Sequence, residues 1–235
     1  LAFATLGTIA DMVPLLDENR AIVKFGLDAM RKAKNPGIQA LIDTSIDKQK
    51  ILTAEDIGFQ IAPRINAAGR LGRSDLAMRL FTTKSRQEAM EIAQELDQLN
   101  KTRQDIEKLH SLEAFEQAAE LVKKYTHTIV LNGDTWHSGI IGIIASKVLE
   151  KYYRPTFVIS CCQETAKIGK GSARSIEGYS LPDALAFADK YLIQYGGHAM
   201  AAGFQIEKDN IEAFRDMIEQ DGKNELTIEQ LQPII

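Results

Sequence analysis

The sequence predicts an α/β protein in which short helices come first, one long helix follows, and a mixed-sheet domain closes the chain. Three observations carry that expectation. Apolar residues early in the chain recur at helical spacing, the stretch from Ser85 to about Tyr125 contains neither Gly nor Pro, and the periodicity changes at the β-branched run HTIVLNGD. The spacing of Ile22, Val23, Phe25, Leu27 and Met30 after Asn19 predicts an N-capped amphipathic helix that Asn35-Pro36-Gly37 ends. Short helices are expected at 37–43 and, behind a Thr53 cap with Asp56 in the first turn, at 54–61. The segment APRINAAGRLGRSD reads as a basic turn between helices. In the long segment, Ile92, Leu96, Leu99, Ile106 and Leu109 lie at steps of three, four and seven, which predicts a single helix joining two domains. Beyond it the patterning predicts a strand at HTIVLNGD, a helix at 138–151, strands at PTFVIS and KIGKGSAR, and helices near 181–190 and 209–220.

Composition narrows the function. In 235 residues, 45% hydrophobic and 26% charged, there is material for a packed core of one or two domains. No apolar run reaches the roughly 18 residues of a membrane span, and the first residues lack signal-peptide order, so a cytoplasmic protein without a membrane partner is expected. The formal charge of −4 argues against coating nucleic acid by bulk charge; any such site must be a local patch. Cys161 and Cys162 are adjacent in the run TFVISCC and read as strand residues with opposed side chains, neither disulfide nor metal ligands. The chain opens on Leu1 in the middle of what reads as a packed unit, so it is expected to be a fragment.

Four segments carry candidate chemistry. In GDTWHSGIIGIIASKV, His137 and Ser138 open a helix whose free N–H groups suit a phosphate; Ser138 or Asp134 as a simple cap, with Trp136 as core, is the alternative. In KGSARSIEGYSL a strand brings Ser172 and Arg174 to its end, with Lys170 and Lys167 before them, offering a hydroxyl and a guanidinium to one phosphate. YGGHAMAAG combines Gly196, Gly197 and Gly203 with His198, either for close packing or to bare backbone N–H groups beside an imidazole. Arg64, Arg70 and Arg73 gather in APRINAAGRLGRSD with Asn66 and Gly69, a patch suited to the backbone of a nucleic-acid strand. Asp11, inside the apolar LGTIADMVPL, needs a partner, a capping role or a metal if it is buried.

Taken together these segments resemble the RecJ family of single-strand-specific DNA exonucleases in the DHH phosphoesterase superfamily. GTIADMVPL is similar to the family's fourth phosphoesterase motif and PRINAAGRLG to the segment after it. WHSGIIGIIASK, GSARSIEGYSL and GGHAMAAGF are similar to the motifs of the DHH-associated domain, in order. The three earlier aspartate-rich motifs, including Asp-His-His, are absent from this sequence.

The resemblance implies that residues 1–84 are the end of a DHH domain and 85–125 a connecting helix. It makes 126–225 the DHH-associated domain and 226–235 the start of a linker to an oligonucleotide-binding domain. It makes Asp11 a metal ligand and places Arg70, with Arg64, over the strand. Ser172, Arg174, Gly197 and His198 become the pocket for the strand's 5′ phosphate, with His137 a further nucleic-acid contact. The implied whole is a 5′-to-3′ exonuclease of DNA repair and recombination using two Mn²⁺ or Mg²⁺ ions, with a cleft that admits one strand. Its expected partners are single-stranded DNA with a 5′ end and repair proteins such as a helicase or a single-strand-binding protein. This chain alone is then expected to bind little metal and to be inactive. The alternatives are a small-substrate phosphoesterase of the oligoribonuclease or phosphoadenosine phosphatase type, and a noncatalytic nucleic-acid-binding module.

Overall fold

The computed structural model describes residues 1–47, 50–162 and 167–233. It divides into two compact units, Leu1–Gln104 and Asp105–Ile235, and the long helix runs through the boundary.

The first unit is helical. Helix α1 (Ala2–Ala10) is followed by α2 (Asp17–Arg31), α3 (Pro36–Ser45), α4 (Ala54–Asp56), α5 (Ala62–Arg70) and α6 (Ser74–Thr82). Asn19, expected as the cap of α2, lies inside it. The helix starts two residues earlier, where Asp17 and Glu18 place negative charge on its first turn, and Asn19 donates instead to the Pro14 carbonyl at 3.1 Å.

Thr53 and Asp56 form a reciprocal capping box: the Thr53 hydroxyl accepts from the Asp56 N–H at 3.1 Å, and the Asp56 carboxylate accepts from the Thr53 N–H at 3.0 Å. Lys50 at 2.7 Å completes the lock, and its hydrogen bond, ahead of the Thr53 bonds, holds the Asp56 carboxyl below its ordinary value despite burial.

The segment APRINAAGRLGRSD is not a turn but mostly helix. A wide π turn at Ile57–Ile61 joins α4 to α5, giving room for Pro63, which has no N–H to donate and whose ring crowds the carbonyl one turn back. The core here is aliphatic: Met30, Ile38, Leu41, Ile57, Ile61, Leu76, Leu80 and Leu96 are fully enclosed.

Helix α7 (Arg86–Leu121) leads into the second unit, which contains β1 (Ile129–Gly133), α8 (Ile141–Tyr152), β2 (Thr156–Ser160), β3 (Ile168–Arg174), α9 (Leu181–Phe187), β4 (Leu192–His198), β5 (Ala201–Glu207) and α10 (Ile211–Glu225). The five strands form one mixed sheet in the order β1-β2-β3-β5-β4. Its β1–β2 pair is parallel and the other pairs antiparallel.

Alternation along the strands sorts the side chains. Phe157, Ile159, Ala173, Ala202, Phe204 and Ile206 point into a core closed by α9 and α10, where the Phe157 and Phe204 rings lie 5.9 and 5.2 Å from Phe214. On the opposite face α8 packs over β2 and β3. Leu226 and Leu231, in the stretch expected to begin a linker, are buried in the same core.

Two further expectations change. Cys161 and Cys162 lie just past the end of β2 as free thiols, the first buried and the second exposed. YGGHAMAAG, which periodicity did not assign, is a hairpin: β4 and β5 with a two-residue turn at Ala199-Met200. Three glycines lower strand propensity, and pairing on β3 supplies what propensity does not.

Candidate phosphate-binding site

The register of three strands assembles the site. Ser172 on β3 pairs with Gly203 on β5, which pairs with Gly196 on β4; Arg174 pairs with Ala201, which pairs with His198. Paired residues share a face and alternate residues return to it, so Ser172, Arg174, Ala201, Gly203, Gly196 and His198 lie on one side of the sheet. Neighbouring strands lie about 4.8 Å apart, which puts the Arg174 and His198 backbones roughly 9–10 Å from each other. The two glycines are the floor between them. A side chain at Gly196 would meet nothing within 4 Å, and one at Gly203 only the Gly171 carbonyl at 3.7 Å, so the shelf is open.

Gly197 makes the hairpin possible. Its φ of +152° is a region side chains rarely adopt, and a Cβ there would lie 2.5 Å from the Ala201 carbonyl oxygen. The hairpin's position is fixed from outside as well: the Ser175 N–H donates to the Met200 carbonyl and the Leu181 N–H to the Ala199 carbonyl, both at 3.1 Å. Those bonds hold His198 in register with the end of β3.

Arg174 has the most informative electrostatics. Its guanidinium donates to the Ala173 carbonyl at 2.8 Å and to the Ser172 hydroxyl at 3.3 Å. Burial pushes its pKa down with no opposing contribution from an acid, and no ion pair with it occurs among the described residues. A half-buried cation without a counter-ion is a costly arrangement that an anion relieves. Beside it, α8 is bare: a Cβ on Gly142 would stand 3.1 Å from the Arg174 guanidinium and 3.2 Å from the Ser172 oxygen. Gly142 was not foreseen as part of the site, although the spacing of small residues in GIIGIIAS was the signal.

The loop before α8 is pinned rather than capped. Asp134 and Ser138 make no capping bond to the helix, contrary to the simple-cap reading. Trp136 is buried against Gly133, donates from its indole N–H to Glu113 at 2.7 Å, and accepts the Ser160 hydroxyl at its carbonyl. His137 follows, with Nδ1 accepting the Gly139 N–H at 3.1 Å, so the neutral ring carries its proton on Nε2.

The other candidates lie in the first unit. Asp11 is an exposed residue at the C-cap of α1, not buried, and its N–H donates to the Gly7 carbonyl. Arg64 is committed to an ion pair with Asp97 at 2.8 Å. Burial opposes that carboxylate's charge, yet Lys101 and Arg64 together hold its pKa below the ordinary value. Arg73 pairs with Glu95 at 2.8 Å, and Arg70 is exposed at the last residue of α5. Among the described residues no three His, Cys, Asp or Glu side chains gather as a metal site. The donor set of the described residues therefore does not fit a two-metal centre by itself.

A mixed sheet flanked by helices, with a glycine-floored shelf beside an arginine that pairs with no acid among the described residues, is an arrangement suited to an anion. Residues 113–224 match the DHHA1 domain. Along its whole length the chain is similar to RecJ proteins. It is 38% identical over its full length to the single-stranded-DNA-specific exonuclease RecJ of Bacillus subtilis, and 37% identical to that of Haemophilus influenzae. It spans 30% and 42% of those proteins' lengths. The crystal structure of RecJ in complex with Mg²⁺ from Thermus thermophilus superposes with a TM-score of 0.84 at 36% identity, over 95% of this chain and 34% of that one. A crystal structure of exonuclease RecJ bound to manganese gives 0.80 at 33% identity, over 97% and 58% of the two chains.

Proposed function

We propose that this chain is the strand- and phosphate-binding part of a single-strand-specific DNA exonuclease that hydrolyses phosphodiester bonds from the 5′ end. The observation that carries the reading is the Arg174 guanidinium, half-buried and without a carboxylate partner among the described residues, on the same sheet face as a shelf of glycine backbone. In this reading Ser172 and Arg174 bind the terminal phosphate from β3, and His198 closes on it from β4. Gly197 lets the two edges approach, and His137 offers its Nε2–H to the strand beside the pocket. Arg70 serves the strand beyond the pocket. Arg64, spent on Asp97, orients α5 and adds little charge to the ligand.

The divalent ions in the solved RecJ structures support Mn²⁺ or Mg²⁺ as the cofactor of the complete enzyme. Such an ion supplies charge stabilisation at phosphorus and an activated water. Asp11 is the residue of this chain offered to it. A single exposed carboxylate does not hold a metal pair, so the chain on its own binds and positions but does not cleave. No helix among the described residues is long and apolar enough to cross a membrane. A cytoplasmic enzyme of DNA repair and recombination, working with a helicase or single-strand-binding protein, is the setting that suits this reading.

Titration of the chain with a 5′-phosphorylated oligonucleotide and its dephosphorylated twin tests the proposal. A charged hydrogen bond to phosphate predicts about tenfold or greater preference for the phosphorylated strand. Equal affinities would overturn it.

A further inference from the structure

A second cluster of donors lies on the same face of β3, beyond Ser172. Lys170 precedes Ser172 by two residues, so its side chain returns to that face about 6.6–6.8 Å further along the strand. There it borders a cavity of about 210 Å³ lined by His137, Ser138, Ser160, Cys162, Ile168 and Lys170. The lining offers nitrogen donors from His137 and Lys170. The His137 Nδ1 accepts the Gly139 N–H, leaving Nε2–H as the ring's donor. Lys170 has no ion pair among the described residues. Ser138 is exposed and makes no capping bond to the helix. The Ser160 hydroxyl is fixed by donating to the Trp136 carbonyl, which holds the cavity wall in place.

From this geometry we infer that the cavity at Lys170 is a second phosphate subsite, so that the domain grips two successive phosphates of one strand rather than a single terminal one. The inference rests on the Ser172–Arg174 reading. The step between Ser172 and Lys170 selects the ligand. Two phosphorus atoms that share one bridging oxygen lie closer together than that step, whereas two phosphates separated by a sugar span it. The ligand class is therefore a strand or short oligonucleotide, not a diphosphate. No Phe, Tyr or Trp lines the cavity among the described residues, so the subsite reads charge and spacing, not the base.

Three ligands separate the two subsites by calorimetry in the presence of EDTA: thymidine, thymidine 5′-phosphate, and the 5′-phosphorylated thymidine dinucleotide. The first subsite predicts that the monophosphate binds better than thymidine. The second predicts a further gain of about tenfold for the dinucleotide. Lys170→Met should remove that further gain and leave the affinity for the monophosphate within twofold, and because Lys170 is exposed the variant keeps its fold. Cys162 gives an independent readout. Its exposed thiol lines the cavity, so its alkylation by iodoacetamide, followed by intact mass, should slow with the dinucleotide and not with the monophosphate.

Equal affinity for dinucleotide and monophosphate, or a gain that survives in Lys170→Met, overturns the second subsite while the first stands. Equal affinity for thymidine and its phosphate overturns the first subsite and the inference with it.

Discussion

The two units present their chemistry in opposite ways. In the second, the groups that would meet a phosphate come from β3, β4, β5 and α8 of one domain, within about seventy residues of sequence, and are locked by register and by hairpin-to-loop hydrogen bonds. In the first, Asp11 stands exposed at a helix end, no cluster of acids gathers as a metal site among the described residues, and Arg64 and Arg73 pair with Asp97 and Glu95. A phosphate needs a few donors, which one sheet face can supply. A pair of metal ions needs several carboxylates, which the described residues do not bring together. In the proposed reading, recognition is thus self-contained here and catalysis is not.

The comparison can be broken most forcefully through the core beneath the shelf. Phe214→Ala removes a fully enclosed ring packed against Phe157 and Phe204 and should cost about 3–5 kcal/mol in denaturant unfolding. Preference for a 5′ phosphate should disappear with it. A milder change keeps the fold and removes the charge: Arg174→Ala should weaken binding of a 5′-phosphorylated strand by about 1.5–3 kcal/mol, with little effect on the dephosphorylated strand. Equal losses on both strands in a binding assay would remove Arg174 from the pocket.

Acid should separate the units. Burial pushes the Asp221 carboxyl above its ordinary 3.8, although the Tyr179 hydroxyl donates to it at 2.6 Å. A carboxyl raised in the folded state contributes stability that is full below the unfolded value and is lost as pH rises through the folded one. Asp56 is shifted the other way, chiefly by Lys50, so its contribution is present above 3.8 and lost as pH falls through its depressed value. Lowering the pH below about 4 should therefore loosen the first unit before the second, as hydrogen exchange resolved by segment would register. Asp221→Asn should flatten the second unit's stability profile above pH 4. The smallest effect belongs to Asp11→Ala, which should change stability by less than about 0.5 kcal/mol, because the side chain is exposed. Manganese titration should show no difference between that variant and the unmodified chain.

Much of this was legible in the sequence, for identifiable reasons. The long helix declared itself through the absence of Gly and Pro, and β3 through the alternation of lysine, serine and arginine with small residues. The hairpin was not readable from periodicity, because Gly196, Gly197 and Gly203 erase the pattern that tertiary pairing restores. The helical state of APRINAAGR was hidden by Pro63, which a π turn accommodates. Gly142 and the floor of the shelf required the register itself, since no spacing in one segment shows which residue another strand will place beside it.

Residue-resolved mapping tests the central claim most directly. Amide and side-chain NMR shifts of the labelled chain, followed during titration with a 5′-phosphorylated trinucleotide in EDTA, report where a phosphate sits. The account predicts that the largest changes cluster at Ser172, Arg174, Gly196, Gly203 and His198, and shrink when the 5′ phosphate is omitted. Changes centred on the arginines of α5, or a pattern indifferent to the phosphate, would contradict it.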